Sequence, residues 1–208
     1  MKYTQIAADA FQKLQLNAGV LLTDFTPDSP PSKATIRQNI FAATSGGTSF
    51  TATPEYIDMG EDIDNVPANT KELKKLQSYE VVLSGTAKTV DSAAAKTLIG
   101  ACDVSGNKLT PRSDLLAEDF SDIWWVGDYS DKNGDSNGGF VAIHVMNALN
   151  TGGFSLQSND DGKADLAFEF MGHYSIEDMD TVPFDVWVVP GTAEPSGATG
   201  ATGGTGGN

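Results

Sequence analysis

The sequence contains very few of the residues on which disulfide frameworks and metal sites are built. Its 208 residues include one cysteine, Cys102, and two histidines, His144 and His173. A single cysteine excludes an intramolecular disulfide and any zinc site with several cysteine ligands. We interpret Cys102 as a buried structural thiol, because no basic residue lies beside it in the sequence to lower its pKa.

Basic residues are also scarce, with 13 Lys and Arg against 28 Asp and Glu and a net charge of −15. Stable nucleic-acid binding needs a surplus of Lys and Arg against the phosphates, so this charge disfavours a static nucleic-acid binder. The charge is uneven. Residues 1–104 hold 12 acidic and 9 basic residues, for a net charge of −3. Residues 105–208 hold 16 acidic and 4 basic residues, for a net charge of −12.

Long apolar runs and known catalytic motifs are both missing. The best early apolar run, residues 18–22, is too short to cross a membrane, and no apolar segment typical of a signal peptide follows Met1. The G-x-S-x-G, H-E-x-x-H, P-loop and G-x-G-x-x-G motifs are absent. We therefore expect no membrane association, no enzymatic activity and no cofactor.

Alternating apolar and polar residues predict a mainly β fold. In residues 164–174 the large apolar side chains fall on one face and Asp165, Glu169 and His173 on the other. His144 takes a similar solvent-facing position in its segment, where a surface imidazole is the ordinary outcome. Further strands are predicted at 16–22, 49–58, 79–90, 122–128, 141–146, 153–157 and 184–188.

Helical patterns are few. Asp91 precedes Ser-Ala-Ala-Ala-Lys-Thr-Leu-Ile and Gly100 follows it, which predicts a capped helix. A second apolar stripe predicts a helix over residues 4–14. The fold class we predict is a β-sandwich or barrel with one main flanking helix and a long inter-strand loop. We expect residues 1–189 to form this domain and residues 190–208 to form a flexible Gly-rich tail.

One polar run resembles the start of a calcium-binding loop. Asp131, Asn133 and Asp135 place oxygen ligands at alternate positions. However, Ser136 stands where an EF-hand needs glycine, and Ala142 stands where it needs a bidentate glutamate. A polar loop between two strands explains the run equally well, so it is only a weak candidate for a calcium site.

A long non-periodic insertion covers residues 60–77. Its first part is acidic, with Glu61, Asp62 and Asp64, and its second part is basic, with Lys71, Lys74 and Lys75. A head-to-tail contact between identical subunits could use this arrangement, and we expect the insertion to project and contact a neighbouring subunit. A solvated loop whose charges only aid solubility is nearly as good an explanation.

Five stretches carry a family resemblance: residues 14–22, 60–65, 69–76, 124–134 and 168–175. The chain resembles the major tail protein, or tail tube subunit, of long-tailed bacteriophages and prophages of Gram-positive bacteria. The resemblance runs from about Lys2 to Val189 and depends on these five stretches and on their order. The Gly-rich tail lies outside the resemblance.

The resemblance implies a structural virion protein that assembles in the host cytoplasm into stacked, six-membered rings. The rings form a tube through which double-stranded DNA passes without specific binding. It also implies tape-measure and tail-terminator proteins as partners, and no catalytic site. The alternative is a calcium-assisted all-β adhesin or binding module, which the run at residues 131–137 suggests.

The charge of the second half leads to a further expectation, namely that the lumen of such a tube is negative. Apolar Phe and Leu side chains must face the core, because exposing each one forgoes about 1.5–3 kcal/mol. The acidic residues then face water, either outside or in the channel. An acidic wall would repel DNA and let it slide. Our lumen candidates are Asp165, Glu169 and Asp185.

Overall fold

The computed structural model describes residue 15 and residues 17–128, 139–158, 160 and 162–190. In this part of the chain, eleven β-strands dominate, with two short α-helices, α1 (Lys33–Gln38) and α2 (Ser92–Ile99). The strands are β1 (Val20–Leu22), β2 (Ile40–Ala42), β3 (Thr44–Asp58), β4 (Lys74–Ala87), β5 (Cys102–Ser105), β6 (Lys108–Pro111), β7 (Ser121–Asp128), β8 (Phe140–Asn150), β9 (Ser155–Gln157), β10 (Asp165–Met171) and β11 (Phe184–Val189). The fold is mainly β, as the sequence predicts.

Nine of these strands form one antiparallel sheet in the order β2-β1-β7-β8-β10-β4-β3, with β11 added to β8 and β9 to β10. Strand β8 joins two parts of this sheet. Its residues 140–148 pair with β7 and β11, whereas Leu149 and Asn150 pair with β10. We call the first part, with β1, β2, β7 and β11, the β7 half, and the part with β3, β4, β9 and β10 the β4 half.

Strand β8 bends where it passes from one half to the other. Ile123 pairs with Val145 but Ser121 pairs with Ala148, so β8 carries one extra residue, a β-bulge. Asn147 lies in the bulge with a φ of 47°, and its amide donates to Oδ1 of Asp122 at 3.0 Å. A bulge of this kind forms the corner at which a strand changes sheets.

The main core lies between the two halves. Leu21, Ile123 and Val145 of the β7 half pack in one cluster with Leu83 and Phe170 of the β4 half. The opposite face of the β7 half carries a second cluster formed by Leu22, Phe25, Trp124 and Ala142. The β7 half is therefore apolar on both faces, and the arrangement belongs to the sandwich or barrel class that the sequence predicts.

The helix predicted after Asp91 is confirmed as α2. Oδ1 of Asp91 accepts a hydrogen bond from the amide of Ala94 at 2.7 Å, and the helix ends at Gly100, whose φ is +79°. The side chain of Leu98 lies in the main core. The helix predicted at residues 4–14 lies outside the described residues, as do residues 191–208 of the predicted tail.

Helix α1 was not predicted from the sequence. Its amino terminus is capped by Ser32, whose Oγ accepts a hydrogen bond from the amide of Thr35 at 3.3 Å. Of its residues, only Ile36 packs against a core cluster, so the helix carries no apolar periodicity that a sequence could show. Among the described residues, no helix is both long enough and apolar enough to span a membrane.

Candidate assembly surfaces

Residues 54–78 form a two-stranded arm at the outer end of the β3–β4 hairpin. Pairing continues from Pro54 opposite Tyr79 to Asp58 opposite Lys74. The prediction of a non-periodic insertion over residues 60–77 was therefore wrong in its bounds: residues 74–77 belong to β4, and the connecting segment is residues 59–73. Alternation fails to reveal these strand ends because both faces of the ribbon carry exposed residues.

Exposed apolar side chains occupy both faces of the arm. Tyr56 and Leu76 are paired neighbours on one face, with exposures of 55% and 40%, and Ile57 lies on the other face at 39%. Met59 and Ile63 in the connecting segment are also exposed. An isolated two-stranded ribbon is marginally stable in water and gains stability when another surface covers it. Within the described part of the chain, these arm side chains belong to neither core cluster.

The connecting segment is closed by Asp58. Its Oδ2 accepts a hydrogen bond from the amide of Asn69 at 2.8 Å, and its Oδ1 accepts one from the amide of Gly60 at 2.9 Å. These two hydrogen bonds, together with the ammonium of Lys74, hold the pKa of Asp58 below its usual range. The Nζ of Lys74 also donates to Oδ1 of Asn69 at 3.3 Å and lies 5.3 Å from the ring centroid of Tyr56.

The predicted contact residues therefore divide into two groups. Lys74 takes part in contacts within the arm itself. The other five are exposed and form no ion pair within the described part of the chain: Glu61, Asp62, Asp64, Lys71 and Lys75. The arm thus presents charged groups beside exposed apolar ones, and the role of these residues in a contact stays a prediction.

The root of the arm is fixed to the body. Phe50 of β3 and Tyr79 of β4 each pack against Phe184, with ring centroids 5.6 Å apart. The amide of Tyr79 donates to the hydroxyl of Tyr174 at 2.9 Å. A bulge between Glu55 and Tyr56 interrupts the pairing just beyond this point. A bulge re-aims a strand pair, so it sets the direction in which the arm leaves the body.

The three lumen candidates lie on different halves of the molecule. Asp165 and Glu169 share one face of β10, whose other face buries Leu166, Phe168 and Phe170, as the alternation predicts. Asp165 forms an ion pair with Lys88, and Oε1 of Glu169 accepts a hydrogen bond from the hydroxyl of Thr151 at 3.1 Å. Asp185 lies on β11 of the β7 half, opposite His144. The structure does not bring Asp185 together with the other two.

His144 is enclosed, which corrects the expectation of a solvent-facing imidazole. Its ring stacks on Trp124 with centroids 3.9 Å apart, and its side chain is 13% exposed. Nε2 of His144 lies 3.0 Å from Oδ2 of Asp122. This contact and the Asn147 amide hold the pKa of Asp122 below its usual range, against the opposing effect of partial burial. The sequence did not reveal the second apolar layer that covers His144.

His173 lies in the segment after β10 rather than on its solvent-facing side. Its Nδ1 lies 3.1 Å from the carbonyl oxygen of Asn147, and its ring packs edge-on against Phe120 at 5.2 Å. The amide side chain of Asn147 donates to the carbonyl of His173 at 3.1 Å. This histidine therefore supports the β8 corner. Among the described residues, no three His, Cys, Asp or Glu side chains cluster as metal ligands would.

A buried ion pair supports the β5–β6 hairpin. Nη2 of Arg112 lies 2.7 Å from Oδ1 of Asp119, whose side chain is fully buried, and Nε lies 2.8 Å from Oδ1 of Asp103. Oδ2 of Asp119 accepts the amide of Leu116 at 2.8 Å. Nearby, Cys102 is buried, as predicted, and burial raises the pKa of its thiol.

The calcium candidates Asp131, Asn133 and Asp135 lie outside the described residues. The sequence matches no protein-family model and no curated protein.

Proposed function

We propose that the chain is a structural subunit that assembles with copies of itself into stacked rings, which form a hollow tube. The observation that carries this proposal is the arm. It exposes apolar side chains on both of its faces, and the paired neighbours Tyr56 and Leu76 place two of them side by side. Larger exposed apolar patches mark interaction sites. Covering the arm between neighbouring subunits would remove Tyr56, Ile57 and Leu76 from water and stabilise the ribbon.

The resemblance to tail tube subunits of long-tailed phages supplies the form of the assembly. By that resemblance the rings have six members, the tube belongs to the virion, and tape-measure and tail-terminator proteins are its partners. The charged residues of the arm then set the register between rings. Exposed ion pairs contribute only about 0–1 kcal/mol each, but a ring repeats every contact, and the sum of weak contacts fixes the alignment.

The lumen of the proposed tube is negative. Glu169 and Asp185 are the stronger candidates for its wall, because the charge of Asp165 is balanced by Lys88. An acidic wall repels duplex DNA, and salt screens this repulsion over about 8 Å at physiological ionic strength. A map of the assembled tube tests this directly: side chains facing the channel should sum to a negative charge, and a sum of zero or above would contradict it.

Self-association of the full chain is the first experiment. We expect light scattering after size exclusion and negative-stain images to show rings or tubes at high protein concentration. The double variant Tyr56→Ser, Leu76→Ser should lose this assembly but keep its melting temperature, because both side chains are already exposed. Deleting residues 61–70 should likewise prevent normal tubes. The matched control is Val104→Ser, which removes a similarly exposed apolar side chain on β5.

Two outcomes would contradict the proposal. One is a wild-type chain that stays monomeric at every concentration and salt tested. The other is an arm variant that forms the same tubes as the wild type. A monomer whose melting temperature rises with added calcium would instead favour the calcium-assisted binding module, which depends on Asp131, Asn133 and Asp135.

A further inference from the structure

The core-facing side of the β7 half extends beyond the main core as an exposed apolar surface. Ile143 of β8 packs against the main core, and Val141 lies two residues away on the same face. Val141 pairs with Val188 of β11, and Ile143 pairs with Val186. Val186 and Val188 are 48% and 54% exposed, and neither they nor Val141 belong to a core cluster of the described residues. We call Val141, Val186 and Val188 the valine ledge.

The valine ledge is apolar rather than ionic. On β11, the charged Asp185 alternates with the valines and lies on the opposite face, paired with His144. On β7, the residue opposite Val141 is Gly127, which has no side chain. A segment that covers this surface therefore needs apolar side chains, and covering it removes the exposed valines from water.

The amino-terminal segment enters the described structure beside this ledge. A Cβ atom on Gly127 would collide with the side chain of Gln15 and with the ring of Trp125. Trp125 lies on the core-facing side of β7, two residues from Gly127. The side chain of Gln15 therefore lies over Gly127 on that same face, and Val141 is its neighbour on the adjacent strand.

Three contacts anchor this entry point. Nε1 of Trp125 donates to the carbonyl oxygen of Ala18 at 3.1 Å, and the side-chain amide of Asn17 donates to the carboxylate of Asp128. The ring of Trp125 also occupies the space that a side chain on Gly19 would need. These contacts place the entering chain on the β1 side, so the apolar surface that stays exposed on this face lies towards β8 and β11.

The segment that precedes Gln15 has the pattern needed to cover the ledge. The helix predicted over residues 4–14 has an apolar stripe of Ile6, Ala10, Phe11 and Leu14. Its opposite face carries the polar residues Gln5, Asp9 and Gln12. A helix of this length extends about 16 Å, and two strand spacings measure about 10 Å. Starting beside Gly127, such a helix reaches across β8 and β11.

We propose that residues 4–14 form an amphipathic helix that lies across β8 and β11 and covers the valine ledge of the same copy. Leu14 then contacts Val141, next to the entry point, and Phe11 contacts Val188. The inference is independent of the self-assembly proposed above. A short tether holds the segment at an effective concentration in the millimolar range. The segment of the same copy therefore outcompetes that of a second copy in dilute solution.

The cover also protects an edge strand. Within the described part of the chain, β11 pairs with β8 alone. An exposed apolar edge strand is a site at which chains aggregate. A helix lying over Val186 and Val188 removes the apolar face beside this edge, so the segment limits non-specific association.

Disulfide trapping in the full chain tests the position of the helix. The variant Ala10→Cys with Val188→Cys, oxidised with glutathione disulfide in dilute solution, should lose both introduced thiols within one chain and form no covalent dimer. The matched control, Gln12→Cys with Val188→Cys, places its first cysteine on the opposite face of the helix and should react about tenfold more slowly. The native Cys102 is buried and should stay reduced.

Thermal unfolding tests whether the ledge is covered in the native protein. Val188→Thr keeps the shape and the strand propensity of the side chain, so at an uncovered position it should leave the melting temperature unchanged. Under the helix it removes an apolar contact and should lower the melting temperature by about 2–4 °C. In a Phe11→Ser, Leu14→Ser background the same substitution should have no effect, because the cover is already lost. Gln5→Ser with Gln12→Ser is the control background, in which Val188→Thr should still lower the melting temperature.

Three outcomes would overturn the proposal. One is equal trapping from positions 10 and 12. Another is a Val188→Thr substitution that leaves the melting temperature unchanged in the wild-type background. The third is a covalent dimer as the main trapped product, which would assign the segment to a second copy. Each of these outcomes leaves the self-assembly proposal standing, so the two proposals fail separately.

Discussion

Strands β3 and β4 lie in two different environments. Their inner parts pack in the main core, whereas their outer parts form the exposed arm. Near the body, Val81 and Leu83 of β4 are buried in the main core. Beyond the bulge at Glu55, Ile57 and Leu76 lie on the same hairpin but remain exposed. The same kind of side chain stabilises the fold in the first region and is exposed to solvent in the second.

The largest expected effect comes from a matched pair of truncations on β4. Leu83→Ala should lower the free energy of unfolding by about 2–5 kcal/mol, because it leaves a cavity in the main core. Leu76→Ala should change it by no more than about 0.5 kcal/mol, because this side chain is already in water. Urea unfolding followed by tryptophan fluorescence measures both. Equal losses in the two variants would show that the arm belongs to the core.

The buried ion pair gives the next largest effect. Asp119→Ala should lower the free energy of unfolding by about 2–3 kcal/mol, since it leaves the enclosed guanidinium of Arg112 without its closest partner. The control Asp103→Ala removes the more exposed partner and should cost less than about 1 kcal/mol. If the two variants lose the same free energy of unfolding, the burial of Asp119 does not make its ion pair with Arg112 stronger than that of Asp103.

A smaller effect depends on pH. Folding lowers the pKa of Asp122, so its contribution to stability is complete above the unfolded-state pKa of about 3.9 and is lost as the pH falls through the lower folded-state value. Asp122→Asn should therefore be less stable than the wild type at pH 6, by up to about 1 kcal/mol because the side chain is half exposed. The difference should shrink at pH 2.5. Asp64→Asn is the control, and a difference that grows on acidification would contradict the sign.

The smallest effect is local to the arm. Asp58→Asn weakens the two hydrogen bonds that close segment 59–73, so the amides of Gly60 and Asn69 should exchange faster with solvent. Amides of Val81 and Leu83 serve as the internal control and should keep their wild-type rates. Acceleration throughout β4 would show that the arm and the body open together.

Local signals explain what the sequence predicts well. Helix α2 is bounded by a capping Asp91 and by Gly100, and the alternation of Leu166, Phe168 and Phe170 defines the buried face of β10. These signals depend on residues a few positions apart. The fold class follows from them, because many short strands with few helices have only a few ways to bury their apolar faces.

Features set by distant residues could not be predicted in this way. His144 is enclosed because Trp124 and Trp187 come from two other strands. The strand ends in the arm escape notice because both faces are exposed, so apolar and polar residues do not alternate. Residues 175–180 show no sequence pattern that marks them: the exposure of Ile176 and Met179 among the described residues is evident only from the structure.

The shared strand β8 has a consequence for how the chain folds. Its first nine residues complete one half of the sheet and its last two complete the other, so neither half can detach without breaking the pairing of the same strand. The turn at residues 175–180 lies between β10 and β11, which pair with opposite ends of β8. Both ends of this turn are therefore held in place only after β8 has paired along its whole length.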